Sequence, residues 1–168
     1  FASRKVQAIR DLKGMRVAVS ALGTSEHVYL SSMLAYVGIK PSEVKWIAAG
    51  GVPEAMDLFV SGKADALLGF PPQPQELRAR KVGHVIVNTA EDKPWSQYFC
   101  CTITANSDFV RKYPIATKHV VRAMLKGADI CASEPERAAR FMVEKGYEPR
   151  RERALEVMRA IPYARWRE

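Results

Sequence analysis

Apolar and polar positions follow two rhythms along the first half of the chain. Between residues 12 and 87 a short apolar run, a turn marked by Gly or Ser, and an amphipathic stretch of helical length succeed one another three times. This alternation predicts parallel strands joined by helices. Strands are expected at residues 15–20 (MRVAVS), 44–48 (VKWIA), 64–69 (ADALLG) and 84–88 (HVIVN), linked by right-handed crossovers. In the first helix Val28, Leu30, Met33, Leu34 and Val37 supply the apolar positions, Thr24 or Ser25 the cap, and Gly38 the stop. In the second, Pro53 sits in the first turn, Ala55, Met56, Leu58, Phe59 and Val60 pack, and Ser61-Gly62 closes. A short helix through Leu77 precedes the fourth strand. The opening ten residues show neither a cap nor a turn, and Asp11-Leu12-Lys13-Gly14 makes the turn into the first strand.

After Asn88 the grammar changes. Residues 90–95 form a polar, Pro-containing link, and 96–105 (SQYFCCTITA) read as one extended run. From Asn106 onward only helices are expected. Asn106 or Ser107 caps a short one ending before Pro114, and 115–132 is a longer one with Val120, Val121, Met124 and Leu125 inside. Pro135 and Pro149 start two more, the first stopped by Gly146 and the second running through Ile161.

A parallel sheet places its ligand in the crevice outside the carboxyl ends of its strands. The informative turns are therefore residues 20–26, 48–52 and 69–72. Ser20-Ala21-Leu22-Gly23-Thr24-Ser25 joins a strand end to a helix start, where free backbone N–H groups and the helix dipole favour an anion. The same turn also meets the needs of an ordinary helix cap. It lacks the Walker spacing, so a nucleoside triphosphate is not indicated. Glu26 is awkward for a bare anion and is expected either to face solvent or to hold an amine. Catalysis finds little support: His27, His84 and His119 lie far apart, with no nucleophile elbow and no His-Glu-x-x-His helix. His27 sits on a helix start near the crevice, whereas His84 and His119 read as packing or surface residues. Asp65 reads as a turn former.

Composition narrows the classes further. The 168 residues are 48% hydrophobic and 26% charged, with no apolar run near the roughly 20 residues that cross a bilayer. The net charge of +8 is scattered, with a concentration in residues 145–167 that glutamates interrupt. It forms no aromatic-basic stacking platform, so no nucleic-acid partner is expected and a solvated basic face is. Cys100, Cys101 and Cys131 lack metal-ligand spacing and read as small buried thiols, with a bridge from Cys131 to one of the pair left open.

Several segments carry a family resemblance in order. They are Asp11-Leu12-Lys13-Gly14-Met15-Arg16-Val17-Ala18-Val19, then Gly23-Thr24-Ser25 with residues 34–38, Pro53-Glu54-Ala55-Met56, and Ser61-Gly62-Lys63-Ala64-Asp65-Ala66. Phe109-Val110-Arg111-Lys112-Tyr113-Pro114 follows, leading to Ser133-Glu134-Pro135-Glu136-Arg137-Ala138-Ala139. The succession resembles the periplasmic substrate-binding proteins of ABC importers in the nitrate, sulfonate and taurine group, also described as NMT1/THI5-like. The resemblance implies an α/β, type II periplasmic-binding-protein-like fold: one Rossmann-like lobe with a mostly parallel sheet, a crossing strand, and C-terminal helices of the other lobe. Residues 1–90 would be the second α/β lobe, 91–105 the inter-lobe crossing, and 106–168 helices packing on a first lobe that is mostly absent from this sequence.

The function implied is capture of a small oxyanion, sulfonate or related organic molecule and its delivery to an ABC permease, in the periplasm, with no reaction catalysed and no cofactor or metal. The expected ligand-facing residues are Ser20, Gly23, Thr24 and Ser25, Gly50 and Gly51, and Phe70. Thr24 and Ser25 would donate to an anionic head group, the glycines would admit close backbone approach, and Phe70 would pack the apolar body. Apolar surface exposed where the first lobe docks would favour dimerisation. The rivals on the same fold are a biosynthetic enzyme of the thiamin-pyrimidine or menaquinone type, whose cysteine-rich motif Phe99-Cys100-Cys101 weakly resembles, and a ligand-sensing regulator.

Overall fold

A computed structural model describes residues 1–98 and 102–167, with backbone alone at 166 and 167. The chain divides into two compact units, Phe1–Asn88 and Thr89–Glu168.

In the first unit β1 (Arg16–Val19), β2 (Lys45–Ala48) and β3 (Ala66–Leu67) form a parallel sheet in the order β2-β1-β3. Val17 lies opposite both Trp46 and Ala66, so β1 is the centre of the sheet. Its Val17, Ala18 and Val19 are buried, as expected of a parallel strand covered on both faces. The helices α1 (Ser25–Tyr36), α2 (Val52–Val60) and α3 (Gln73–Ala79) follow β1, β2 and β3 in turn. Ala18, Ala55, Phe59, Ala64, Leu67 and Leu77 form one buried cluster. α1 buries Leu30, Met33 and Leu34, one stripe at helical spacing. Val28, expected in that stripe, is exposed, because two residues of helix turn it about 200° away from Leu30.

The fourth strand does not form. Ala2 pairs antiparallel with both Ala66 and His84, its N–H donating to the His84 carbonyl at 2.8 Å and its carbonyl accepting from the His84 N–H at 2.9 Å. The opening residues therefore occupy the β3 edge that a parallel strand at 84–88 would need. The third strand is also short, since beyond Leu67 the chain leaves the sheet for the third turn. The start of the chain does have a cap: Asp11 Oδ2 accepts from the N–H groups of Gln7 and Ala8 at 2.8 and 3.0 Å and opens a 3-10 turn, Ile9–Leu12.

At the sheet's opposite end, away from the crevice, Arg16 grips Asp65. Its Nε and Nη2 donate to Oδ2 and Oδ1 at 2.9 Å each, and the Arg16 N–H adds a third bond to Oδ2 at 3.0 Å. Asp65 is thus more than a turn former: it ties β1 to the start of β3. The Arg16 guanidinium holds its carboxyl below the ordinary carboxylate value. A carboxyl lowered on folding stabilises the native state fully above its unfolded value, about 3.9, and loses that contribution as pH falls through the lower native value. Asp65→Asn is therefore expected to lower the thermal midpoint at neutral pH, and the gap to wild type should close only below about pH 4. A pH series of melts checks this, and a gap that instead widened with acid would contradict the assignment.

The second unit holds α4 (Ser107–Lys112), α5 (Pro114–Ser133), α6 (Pro135–Glu144) and α7 (Arg151–Ala160). Asn106 caps α4 as expected, its Oδ1 accepting from Asp108 and Phe109 N–H at 2.9 and 3.1 Å. Ala138 and Ala139 of α6 meet Ala154 and Met158 of α7 in a small core, with Cys131 of α5 beside it. Cys131 is a free, half-buried thiol whose pKa burial pushes up. The expected interior positions of α5 are not interior: Val120, Val121 and Met124 are exposed, Leu125 is half-buried, and no residue of the helix is fully buried. Of the expected crossing strand, Ser96 and Gln97 lie in the 3-10 turn Trp95–Gln97, and residues 102–105 have no regular structure. Phe99, Cys100 and Cys101 lie outside the described residues. No helix of the described residues is long and apolar enough to cross a membrane.

Candidate ligand-binding site

Parallel pairing sends all three strand ends to one side of the sheet, and backbone bonds carry the pairing past them. Ala49 N–H donates to Val19 O at 2.8 Å and Gly50 N–H to Ser20 O at 2.9 Å, so the first two turns rise side by side. Gly50 makes this possible with φ +90, a conformation that side-chain-bearing residues avoid. The third turn is tied in by a residue the sequence did not single out. Gln73, buried at the start of α3, accepts from the Phe70 N–H through Oε1 at 3.2 Å and donates through Nε2 to Val52 O at 2.8 Å. One side chain thus bridges the end of β3 to the start of α2. The structure accordingly brings together Ser20, Gly50, Gly51 and Phe70, with Gly23, Thr24 and Ser25 on the first turn beside them.

The polar groups of that turn are largely committed to the protein itself. The Thr24 hydroxyl donates to Ala21 O at 2.7 Å, so its proton is not offered to a head group. Gly23, at φ +82, gives its N–H to His27 Nδ1 at 3.1 Å. That bond requires the His27 tautomer with its proton on Nε2. The His27 ring also meets Trp46 edge-on, centroids 4.6 Å apart, and Trp46 Nε1 is anchored on Pro41 O at 2.8 Å. The expected solvent-facing or amine-holding Glu26 is buried, and its Oε1 accepts from the Ser20 N–H. Burial of a carboxylate is tolerable here because it lies in the first turn of α1, where a negative charge faces the positive end of the helix dipole. The first-turn amides of α1 have no acceptor within the helix, and Ser25 stands exposed at its first position.

The second helix repeats the device. Glu54, in the first turn of α2, turns back over Gly51, close enough that a methyl group there would overlap its carboxylate. Two of the three helices that start at the crevice, α1 and α2, therefore turn an acid back onto their own entry turn. The sequence signal for this was an acidic residue soon after each cap, at Glu26 and Glu54. His84 and His119 take no part, the one bridging to Ala2 and the other exposed on α5.

No curated protein matches the chain. Among solved structures, one from Bordetella bronchiseptica RB50 is 24% identical, with a TM-score of 0.66 over 85% of this chain and 47% of its own. A second, from Methylobacillus flagellatus KT, is described as a candidate periplasmic sulfonate-binding protein, SsuA, of a sulfonate ABC transporter. It is 23% identical, with a TM-score of 0.60 over 80% of this chain and 40% of its own. The chain thus spans less than half the length of either structure, and at these identities the likeness establishes the fold, the α/β architecture of periplasmic binding proteins. The NMT1/THI5-like family model matches residues 1–138, well over half of the sequence, and the chain belongs to that family.

Proposed function

We propose that this chain is the α/β lobe and helical segment of a solute-binding protein serving an ABC importer. Its three strand-end turns form one wall of a cleft for a small organic molecule, which is passed to a membrane permease in the periplasm. The observation that carries the reading is the fusion of those turns into one rim, through Gly50 to Ser20 and through Gln73 to Phe70 and Val52. Family membership and the likeness to periplasmic binding proteins support it. The ligand-facing groups proposed are the Ser25 hydroxyl and the first-turn amides of α1, the backbone at Gly50 and Gly51, and the Phe70 ring. Gly23 and Thr24 shape the first turn, and the Ser20 carbonyl and N–H hold it to its neighbours.

The two resident carboxylates bear on the ligand class. Glu26 and Glu54 already balance the dipoles of α1 and α2, so a bare oxyanion gains little there. A molecule pairing an acidic head with an amine or other donor suits the rim better. Thermal unfolding in nitrate, bicarbonate, ethanesulfonate and taurine at matched ionic strength tests this. The test uses this chain and the polypeptide extended to the length of the matched structures. Taurine is expected to give the largest upward shift, since ligand at 100 times its dissociation constant adds about 2.7 kcal/mol. Glu26→Gln keeps the acceptor for Ser20 N–H, removes the charge, and should narrow the gap between taurine and ethanesulfonate. No shift with any compound in either polypeptide would sink the solute-binding reading, whereas a larger shift with nitrate than with taurine would sink only the ligand class.

A further inference from the structure

We infer that His27 is a pH-sensitive latch on the first strand-end turn: with a neutral ring it holds Gly23, and on gaining a second ring proton it releases the turn. The bond that makes the latch runs from the Gly23 N–H to His27 Nδ1 at 3.1 Å, between residues four apart. Gly23 sits at φ +82, which costs glycine little and equally gives it no stiffness of its own. Between the two partners Thr24 adds one hydroxyl bond, to Ala21 O. Ser25 and the first turn of α1 follow directly, so what holds Gly23 also sets how the chain enters that helix.

Nδ1 accepts a hydrogen bond only while it carries no proton. An imidazolium donates from both nitrogens, so two N–H groups would face each other across the former bond. The new charge would also lie in the first turn of α1, at the positive end of the helix dipole. Imidazole is the side chain that changes charge between about pH 5 and 8.

The charged groups on the elements around the ring are spent elsewhere. Glu26 precedes His27 on α1 but is buried and turned to the Ser20 N–H, and successive helix residues point about 100° apart. On β2 the ring meets Trp46, whose neighbour Lys45 is exposed. Two 3-10 turns pack against α1. Ile9–Leu12 carries Arg10, which is exposed, and Asp11, which accepts from the Gln7 and Ala8 N–H groups. Pro41–Glu43 carries Glu43, bonded to Lys13 Nζ at 2.7 Å and to the Lys40 N–H at 3.0 Å. Among the described residues no carboxylate is bonded to the His27 ring to retain its charge. Trp46 is itself anchored on Pro41 O, so the half-buried ring keeps its place and the exposed turn at Gly23 gives way.

Nitrogen-15 NMR of this chain from pH 8 to 5 tests the latch. At pH 8 the His27 ring is expected as the Nε2–H tautomer, and the Gly23 amide should then move along the same curve as the ring when it protonates. His27→Asn puts a side-chain oxygen near the place of Nδ1 and accepts at every pH, so its Gly23 amide should not respond to pH. One pH unit below the midpoint of the wild-type ring, Gly23 in that variant should be protected from exchange about threefold or more above wild type, as one ordinary hydrogen bond allows. His27→Phe keeps a ring against Trp46 without an acceptor and should show the low protection of the acid wild type throughout. A ring protonated on Nδ1 at pH 8, a Gly23 amide that ignores the ring's curve, or a response that survives in His27→Asn would each overturn the inference; the last would assign it to His84 or His119. The wild-type curves decide alone if either variant folds poorly. Every reading is made without ligand, so none depends on solute binding at the crevice.

Discussion

Leu77→Ala is expected to cost the first unit about 3–5 kcal/mol, the upper part of the range for a buried leucine. The size of the effect follows from what surrounds the side chain. Leu77 is fully buried, and three of the five other residues in its cluster are Ala18, Ala55 and Ala64. Alanines have no rotamers with which to swing into a void, and the ring of Phe59 is held by the same cluster, so the cavity stays largely open. For a unit of this size the loss corresponds to a midpoint lower by roughly 12 °C or more. Exchange of the Val17–Val19 amides reports on this unit alone and should accelerate with the global melt. Leu77→Met, which nearly conserves volume, should cost less than about 1.5 kcal/mol. An alanine variant losing under 1 kcal/mol would mean that α3 does not close the core.

Gly83→Ala is expected to cost about 2 kcal/mol or more, although Gly83 is exposed and lies outside the three strand-end turns. Two independent effects add. The backbone sits at φ +66, where a side-chain-bearing residue pays roughly 1–2 kcal/mol. A methyl group would in addition lie 2.5 Å from Phe59 Cζ and 2.7 Å from the Ala2 carbonyl oxygen. The ring belongs to the core cluster and the carbonyl accepts the His84 N–H, so neither can move without loosening another contact. Gly14→Ala is the control, since that glycine has a similar φ of +75 and open space around its missing side chain. Thermal melts of the two variants separate strain from collision: equal losses would show that the contact with Ala2 and Phe59 is not rigid.

The Gly83 contact also explains one limit of reading strands from pattern. Residues 84–88 are as apolar as a buried strand, and by spacing alone they belong beside β3. Strand status depends on a free partner edge, and the edge is taken by Ala2, eighty-two residues away in sequence. In α5 the same limit runs the other way. Val120, Val121 and Met124 have the right periodicity for an interior face, but periodicity names a face that should be covered, not what covers it.

The sequence by itself determined the elements of the strand-end rim: β1 and β2 within a residue or so, the helix starts at Ser25 and Val52, the glycines of the first two turns, and the order of elements that marks an NMT1/THI5-like chain. These are local matters, set by short apolar runs, caps and left-handed glycines. Only the tertiary structure decided how the rim's polar groups are spent. Thr24 read as a donor to a ligand, and Gly23 and Ser20 as ligand-facing, because the chain positions them at a helix start, whereas three-dimensional proximity commits the Thr24 hydroxyl to Ala21, the Gly23 N–H to His27 and the Ser20 N–H to Glu26. Gln73 became the tie between two turns, and Arg16 and Asp65 the tie between two strands, across 49 residues. A hydrogen bond of that kind depends on which segments the fold brings within 3 Å, and one-dimensional spacing does not encode it.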